Sequence, residues 1–201
     1  MALVYPIAFP TQAPSTQRLT LNRRQSATES PFTYKVQVVD TAAQWALEWS
    51  WPTMTHVKAE AITGWLLSLK GQVGTFTYRP RQSVTSSITG RTLATQGFAG
   101  NDAVSVGGWT ANASTGLRAG QFFQIGTQLL RIVQANATAA ADGKVTITFE
   151  PSLRTTFAAA TAVNFATPTG LFRLSVSDGY GYTLDPNKLP DLGNFTAREV
   201  I

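Results

Sequence analysis

The stretch "GLRAGQFFQIGTQLLRIV", residues 116–133, combines three glycines with a run of apolar and aromatic side chains. A glycine-rich segment can cradle a phosphate, but such a site needs a helix that begins directly after the glycines, and no helical pattern follows here. Ala119–Gly120 and Gly126–Thr127 instead have the composition of turns, and Gly126 suits a positive φ. The stretch therefore predicts a β-hairpin of a barrel. The side chains expected in its core are Phe123, Ile125, Leu130 and Ile132.

The sequence on both sides of this hairpin has a similar β texture. Residues 83–166 are rich in Ser, Thr and Gly and contain short apolar groups. Within them, Asp142–Gly143 is a hairpin turn signal, and an alternating apolar set follows it. That set is Val145, Ile147 and Phe149. We therefore predict that residues 83–166 form a small all-β barrel, similar in shape to oligonucleotide/oligosaccharide-binding (OB) barrels.

The first third of the chain alternates apolar and polar residues with a period of two, which is typical of half-buried antiparallel strands. "RLTLN" places Leu19 and Leu21 on one face. Two longer sets share this pattern. The first is Phe32, Tyr34, Val36 and Val38, and the second is Trp45, Leu47, Trp49 and Trp51. Pro52 ends the pattern, because proline has no N–H to donate to a ladder.

Residues 55–70 carry the one convincing helical pattern. Thr55 suits the N-cap, Lys70 suits the negative end of the helix dipole, and Gly71 is placed to close the helix. The apolar positions at helical spacing are Ile62, Trp65, Leu66 and Leu69. An apolar stripe of this kind needs a sheet to cover, and the tryptophan-bearing strand before it is the expected partner.

Strand patterning returns near the end of the chain, where Phe172, Leu174 and Val176 alternate. We therefore predict a mainly β fold in which a β-sandwich-like domain with one amphipathic helix is interrupted by the barrel. The sandwich-like domain takes residues 1–82 together with 167–201. The change of composition at both borders supports an insertion, and two sequential domains are the alternative.

Composition narrows the classes of function. Charged residues make up 13% of the chain, against about 25% in typical globular proteins. The net charge is +5, but the basic residues are scattered, which favours a solvated or assembly surface over a nucleic-acid footprint. The absence of cysteine excludes a thiol nucleophile and a zinc ribbon. The first residues make a poor signal peptide, and no apolar run approaches the roughly 20 residues of a membrane span.

Few residues are candidates for catalysis. His56 is the only histidine, and no "GxSxG" turn presents a serine, so we interpret it as a surface residue at the helix start. Glu48 and Glu150 are the better pair for glycoside cleavage, which needs two carboxylates about 5 to 10 Å apart. Both lie on strand faces expected to face solvent. We therefore predict no enzymatic activity and no catalytic, metal-binding or cofactor-binding residues.

The tryptophans have two possible roles. Trp45, Trp49 and Trp51 could form a stacking platform for sugars or single-stranded nucleic acid. The helix that follows has no other evident surface to cover, so burial beneath it is the favoured interpretation. Trp109, in the glycine-rich "GGWT", is a freer candidate for a contact residue.

Taken together, four blocks of the sequence resemble the distal tail proteins of long-tailed phages with non-contractile tails. The blocks keep their order and spacing, and the similarity spans most of the chain from Trp45 to about Val176. They are "LLSLKGQVGTF", "GLRAGQFFQIGTQLLRIV", "ADGKVTITFEPSLR" and "GLFRLSV".

The resemblance implies a structural protein of the virion, made in the host cytoplasm and placed at the tail tip. Members of this family form a ring, usually a hexamer, that joins the tail tube to the baseplate hub and the receptor-binding fibres. DNA passes through the ring only as cargo, and the family has no catalytic residues, cofactor or membrane anchor. The alternative from another class is a monomeric β module that binds carbohydrate or single-stranded nucleic acid.

Overall fold

The computed structural model describes residues 3–81, 86–175 and 181–201. These residues form fourteen strands, β1 to β14, and one helix, α1, so the protein is mainly β. The strands up to the helix are β1 Ile7–Ala8, β2 Thr16–Glu29 and β3 Val36–Ser50, and α1 is His56–Ser68. The strands after it are β4 Phe76–Tyr78, β5 Arg91–Leu93, β6 Ala103–Gly107, β7 Phe122–Ile125, β8 Gln128–Ala135, β9 Val145–Glu150, β10 Ala162–Asn164, β11 Gly170–Leu174, β12 Thr183–Leu184, β13 Pro190–Asp191 and β14 Asn194–Glu199.

The chain divides into two compact units, each made of two segments. The first unit takes residues 1–9 and 75–172, and the second takes residues 10–74 and 173–201. The border predicted between residues 82 and 83 lies outside the described residues, as does Val176 of the predicted last strand. The insertion of residues 83–166 into a sandwich-like domain stays a prediction.

The first unit contains a closed six-stranded barrel, in the order β10-β5-β6-β9-β8-β7. All of its strand pairs are antiparallel. The small all-β barrel predicted from the sequence is therefore confirmed. Its hairpin β7–β8 has the predicted turn, with Gly126 at φ +57°. The four side chains predicted for the hairpin core are at most 1% exposed; they are Phe123, Ile125, Leu130 and Ile132.

Three more strands of the first unit lie together, with β1 parallel and β11 antiparallel to β4. Phe76 and Tyr78 of β4 are buried, and Phe172 packs against both rings at centroid distances of 6.1 and 5.7 Å. Burial raises the pKa of Tyr78. Aromatic packing therefore anchors this short sheet.

In the second unit, β3 lies between β14 and β2, and both of its neighbours are antiparallel to it. The tryptophan set predicted for one face of β3 is buried, as expected for a core rather than a stacking platform. Its members are Trp45, Leu47 and Trp49, with Trp51 just beyond the strand. The ring of Trp51 meets Trp65 of the helix edge-on at 6.4 Å, so the helix covers this face as predicted.

The helix agrees closely with the sequence pattern. Ile62, Leu66 and Leu69 are buried, and Trp65 is half-buried. Thr55 is the N-cap, although its side chain makes no capping hydrogen bond. The chain leaves the helix through Gly71 at φ +67°, and the N–H of Gly74 donates to the carbonyl of Leu69 at 2.7 Å.

Candidate functional site

The feature that stands out from the packed units is the outer part of the β2–β3 hairpin. Every residue from 22 to 42 is exposed, except the half-buried Ser30. We call residues 22–42 the arm. The sequence predicted a half-buried strand from Phe32 onward; the strand begins at Val36, and the predicted burial of this segment is wrong. Phe32 and Tyr34 precede β3 and are 92% and 78% exposed at the turn of the hairpin.

The turn at the end of the arm is well defined by its backbone. The N–H of Ser30 donates to the carbonyl of Lys35 at 3.0 Å, and the N–H of Tyr34 donates to the carbonyl of Ser30 at 2.9 Å. Tyr34 has φ +55°, in the left-handed region that non-glycine residues rarely adopt. This tight closure holds the two aromatic residues at the outermost point of the hairpin.

The strand register shows which side of the arm is apolar. On the regular strand β2, Leu19 pairs with Leu47 in the core, and Ala27 pairs with Val38 in the arm. Residues an even number of positions apart on a strand share a face, so Val38 lies on the same face as Leu47. Val36 lies two positions further on and is also exposed. The arm therefore extends the core-forming face of the sheet beyond the core.

A β-bulge makes this arrangement possible. Arg24 pairs with Ala42 and Gln25 with Asp40, which leaves Thr41 as the extra residue of β3. The Thr41 hydroxyl donates to the carbonyl of Arg24 at 2.9 Å. Val38 and Trp45 are an odd number of positions apart, so strict alternation would place them on opposite faces, and the bulge brings them to one face. That odd spacing was the one signal of the bulge in the sequence.

Charged residues lie between the core and the apolar end of the arm. The guanidinium of Arg23 is 2.7 Å from the carboxylate of Asp40, and the Gln25 amide donates to the same carboxylate at 3.4 Å. Both charges of the pair are more than one-third exposed. Because such pairs contribute little to stability, we interpret this one as setting the hairpin register rather than holding the fold.

The arm also includes a sheet edge. In the described sheet order, β2 is the last strand, with β3 as its neighbour. Edge strands are templates for pairing with another chain, and proteins usually protect them with charges, bulges or short lengths. Here a 14-residue edge strand leads to exposed aromatic and β-branched residues. An arm of this composition has the chemistry of an interaction surface.

The residues weighed for catalysis belong to separate elements of the fold. His56 is exposed at the first position of the helix, and its Nε2 lies 3.2 Å from the carbonyl of Lys188. Glu48 and Glu150 belong to different units. Among the described residues no group of three or more His, Cys, Asp or Glu side chains could hold a metal ion.

Trp109 is not the free contact residue that the sequence suggested. It is 8% exposed, its indole N–H donates to the carbonyl of Thr115 at 3.3 Å, and the guanidinium of Arg91 lies 4.8 Å from its ring centre. Phe122 on the barrel is likewise covered, by Arg131 at 5.0 Å. Of the large aromatic residues in the described part of the barrel unit, Phe98 is the exposed one. A single ring does not make a stacking platform.

The sequence matches no protein-family model and no curated protein. No helix in the described parts of the chain is long and apolar enough to cross a membrane.

Proposed function

We propose that the protein is a non-enzymatic structural subunit that associates with copies of itself through the arm. The arm supports this proposal because it combines exposed apolar side chains with a free-standing hairpin. Phe32 and Tyr34 have no role in the packing of either unit, and Val36 and Val38 are more than half exposed. Soluble proteins that expose such a surface in isolation usually bury it against a partner.

A second copy of the same chain is the partner that fits best. An edge strand pairs most readily with another strand, and identical subunits supply identical edges. The chain also carries few charges, which lowers the cost of removing its surface from water in a permanent interface. Contacts in which an arm reaches the body of the next copy are heterologous, and they form a closed ring when the rotation between copies closes.

The resemblance to distal tail proteins extends this proposal to a position in a phage particle. On that basis the ring, a hexamer, lies at the tail tip of a phage and joins the tail tube to the baseplate hub and fibres, with DNA as passing cargo. The second unit is then part of the sandwich-like ring-forming domain, and the first unit contains the OB-like barrel. These statements rest on the similarity of the four sequence blocks together with the arm.

The arm is tested by changing its apolar end and measuring the mass of the particle in solution. We expect the wild-type protein to form a discrete oligomer in light scattering across a range of concentrations. Replacing Phe32 and Tyr34 together by Ser removes the apolar contacts and should shift the protein to the monomer. The circular dichroism spectrum and the thermal unfolding temperature should stay unchanged, because neither side chain is packed in the core.

Phe98→Ser is the matched control, since Phe98 is also an exposed phenylalanine and lies on the barrel unit. This variant should keep the wild-type mass. A wild-type protein that stays monomeric at high concentration would overturn the proposal. An oligomer that persists in the arm variant would show that another surface forms the contacts.

A further inference from the structure

A second feature, independent of the arm, is a cavity of about 390 Å³ in the second unit. It lies where the chain leaves β11 and runs beside β14, since the N–H of Ser175 donates to the carbonyl of Thr196 at 2.9 Å. Two arginines from these neighbouring strands, Arg173 and Arg198, line the cavity. Gln44, Gln72 and Glu199 line it as well, so most of the lining is polar.

The side chains of the two arginines are exposed and have no partner among the described residues. The guanidinium groups of Arg173 and Arg198 make no hydrogen bond or ion pair with any described residue. By contrast, Arg23 pairs with Asp40, and the guanidinium of Arg131 donates to the carbonyl of Gly120. Two guanidinium groups and one carboxylate, that of Glu199, line the cavity, so positive charge exceeds negative charge among its lining side chains.

The other polar side chains of the lining are held in place by hydrogen bonds. The carboxylate of Glu199 is buried and accepts a hydrogen bond from the backbone N–H of Trp45 at 3.3 Å. The Gln44 amide donates to the carbonyl of Glu199, and the Gln72 amide donates to the carbonyl of Ser175, both at 2.7 Å. These hydrogen bonds fix the walls, while the guanidinium groups remain available to a ligand.

We propose that this cavity binds a phosphate group between Arg173 and Arg198. A guanidinium presents a planar fork of N–H donors that matches the oxygens of a phosphate, and two such forks complement a doubly charged anion. The volume is adequate, because a water molecule occupies about 30 Å³ of liquid and a phosphate is only a few times larger. Free phosphate carries up to two negative charges and each phosphodiester of a nucleic acid carries one, and both present oxygens that a guanidinium fork can bind.

The first test compares the thermal unfolding of the wild-type protein in inorganic phosphate and in chloride at equal ionic strength. Phosphate should raise the unfolding temperature along a saturating curve, because it binds the folded state. Arg173→Gln and Arg198→Gln should each weaken phosphate binding about tenfold or more, since each removes a charge-assisted pair of hydrogen bonds. Arg18→Gln is the control, because Arg18 is an exposed arginine of β2 outside the cavity, and it should bind as the wild type does.

The same variants separate a binding site from a structural role. Without phosphate at low salt, each glutamine variant should unfold at the same temperature as the wild type or higher, because like-charge repulsion is relieved. With phosphate the order should reverse. Loss of stability in both conditions would show that the arginines serve the fold, and wild-type protein that gains no stability from phosphate and binds no oligonucleotide would overturn the proposal.

A short single-stranded oligonucleotide distinguishes the two sources of phosphate. If the ligand is nucleic acid, the oligonucleotide should bind more tightly than inorganic phosphate, with an affinity that falls steeply with salt and is lost in both glutamine variants. If the ligand is free phosphate, inorganic phosphate should bind in the cavity and the oligonucleotide should not. If both glutamine variants still bind the oligonucleotide, nucleic acid binds at another surface, and this cavity is not its binding site.

Discussion

Gly143 shows how one backbone position ties two distant parts of the barrel unit together. It lies in the turn before β9 with φ +71°, and a Cβ at this position would lie 2.5 Å from the backbone oxygen of Trp109. The N–H of Trp109 in turn donates to the carbonyl of Gly143 at 3.2 Å. The neighbouring atom belongs to the backbone, so relief of the clash would require the chain around Trp109 to move.

Replacing Gly143 by Ala should therefore destabilise the protein more than the same change at Gly90. Gly90 has φ +69° and open space around it, so Gly90→Ala costs only the left-handed backbone strain of about 1–2 kcal/mol. Gly143→Ala adds the clash, worth about 1–3 kcal/mol more. Urea unfolding of both variants measures the difference. Equal free energies of unfolding would contradict the close approach at Trp109.

The sequence predicts the turn at Gly143 but not its contact with Trp109. Asp142–Gly143 predicts a turn because its chemistry is local, and the turn is present, with the Lys144 ammonium 2.7 Å from the Asp142 carboxylate. That hydrogen bond lowers the pKa of Asp142. The approach of Trp109 depends on how the strands meet in space, and nothing in the order of residues records it. Trp109 was for the same reason mistaken for a free contact residue.

At the scale of the element, α1 offers two adjacent leucines in opposite environments. Leu66 is fully buried, whereas Leu67 is 59% exposed. Leu66→Ala should lower the free energy of unfolding by about 2–5 kcal/mol, because it removes buried methyl groups and leaves a cavity. Leu67→Ala should change it by less than about 0.5 kcal/mol. Denaturant titration of the two variants tests the orientation of the helix. A large loss of unfolding free energy in Leu67→Ala would show that Leu67 is also packed against another surface.

The helix and the long hairpin differ in how well the sequence predicts them. The spacing of Ile62, Leu66 and Leu69 follows from the helical repeat alone, and the predicted range of 55–70 differs from the observed helix by two residues or fewer at each end. For the hairpin, alternation correctly predicts strands, but it does not predict which segments of those strands are buried. Val36 and Val38 have the same pattern as buried positions, yet nothing in the described chain covers them.

At the scale of the whole molecule, the sequence does not show that the alternating apolar residues of the arm are exposed. Alternating apolar residues indicate burial without saying whether the burial lies within one subunit or between subunits. The barrel contrasts with this, since its alternating residues meet in a core of their own unit. The alternation therefore predicts strands in both cases, and the difference between buried and exposed apolar residues emerges only in three dimensions.

The proposed assembly should tighten as salt is added. Each subunit carries a net charge of +5, so copies repel one another at low ionic strength, and salt screens this repulsion over a Debye length of about 8 Å near physiological conditions. The contacts proposed for Phe32 and Tyr34 are apolar, and salt does not weaken them. Analytical ultracentrifugation from low to high sodium chloride should thus show a falling dissociation constant for the wild-type protein. The Phe32→Ser/Tyr34→Ser variant should stay monomeric throughout. Dissociation at high salt would instead indicate an interface held by ion pairs, and the arm would then not be the main contact.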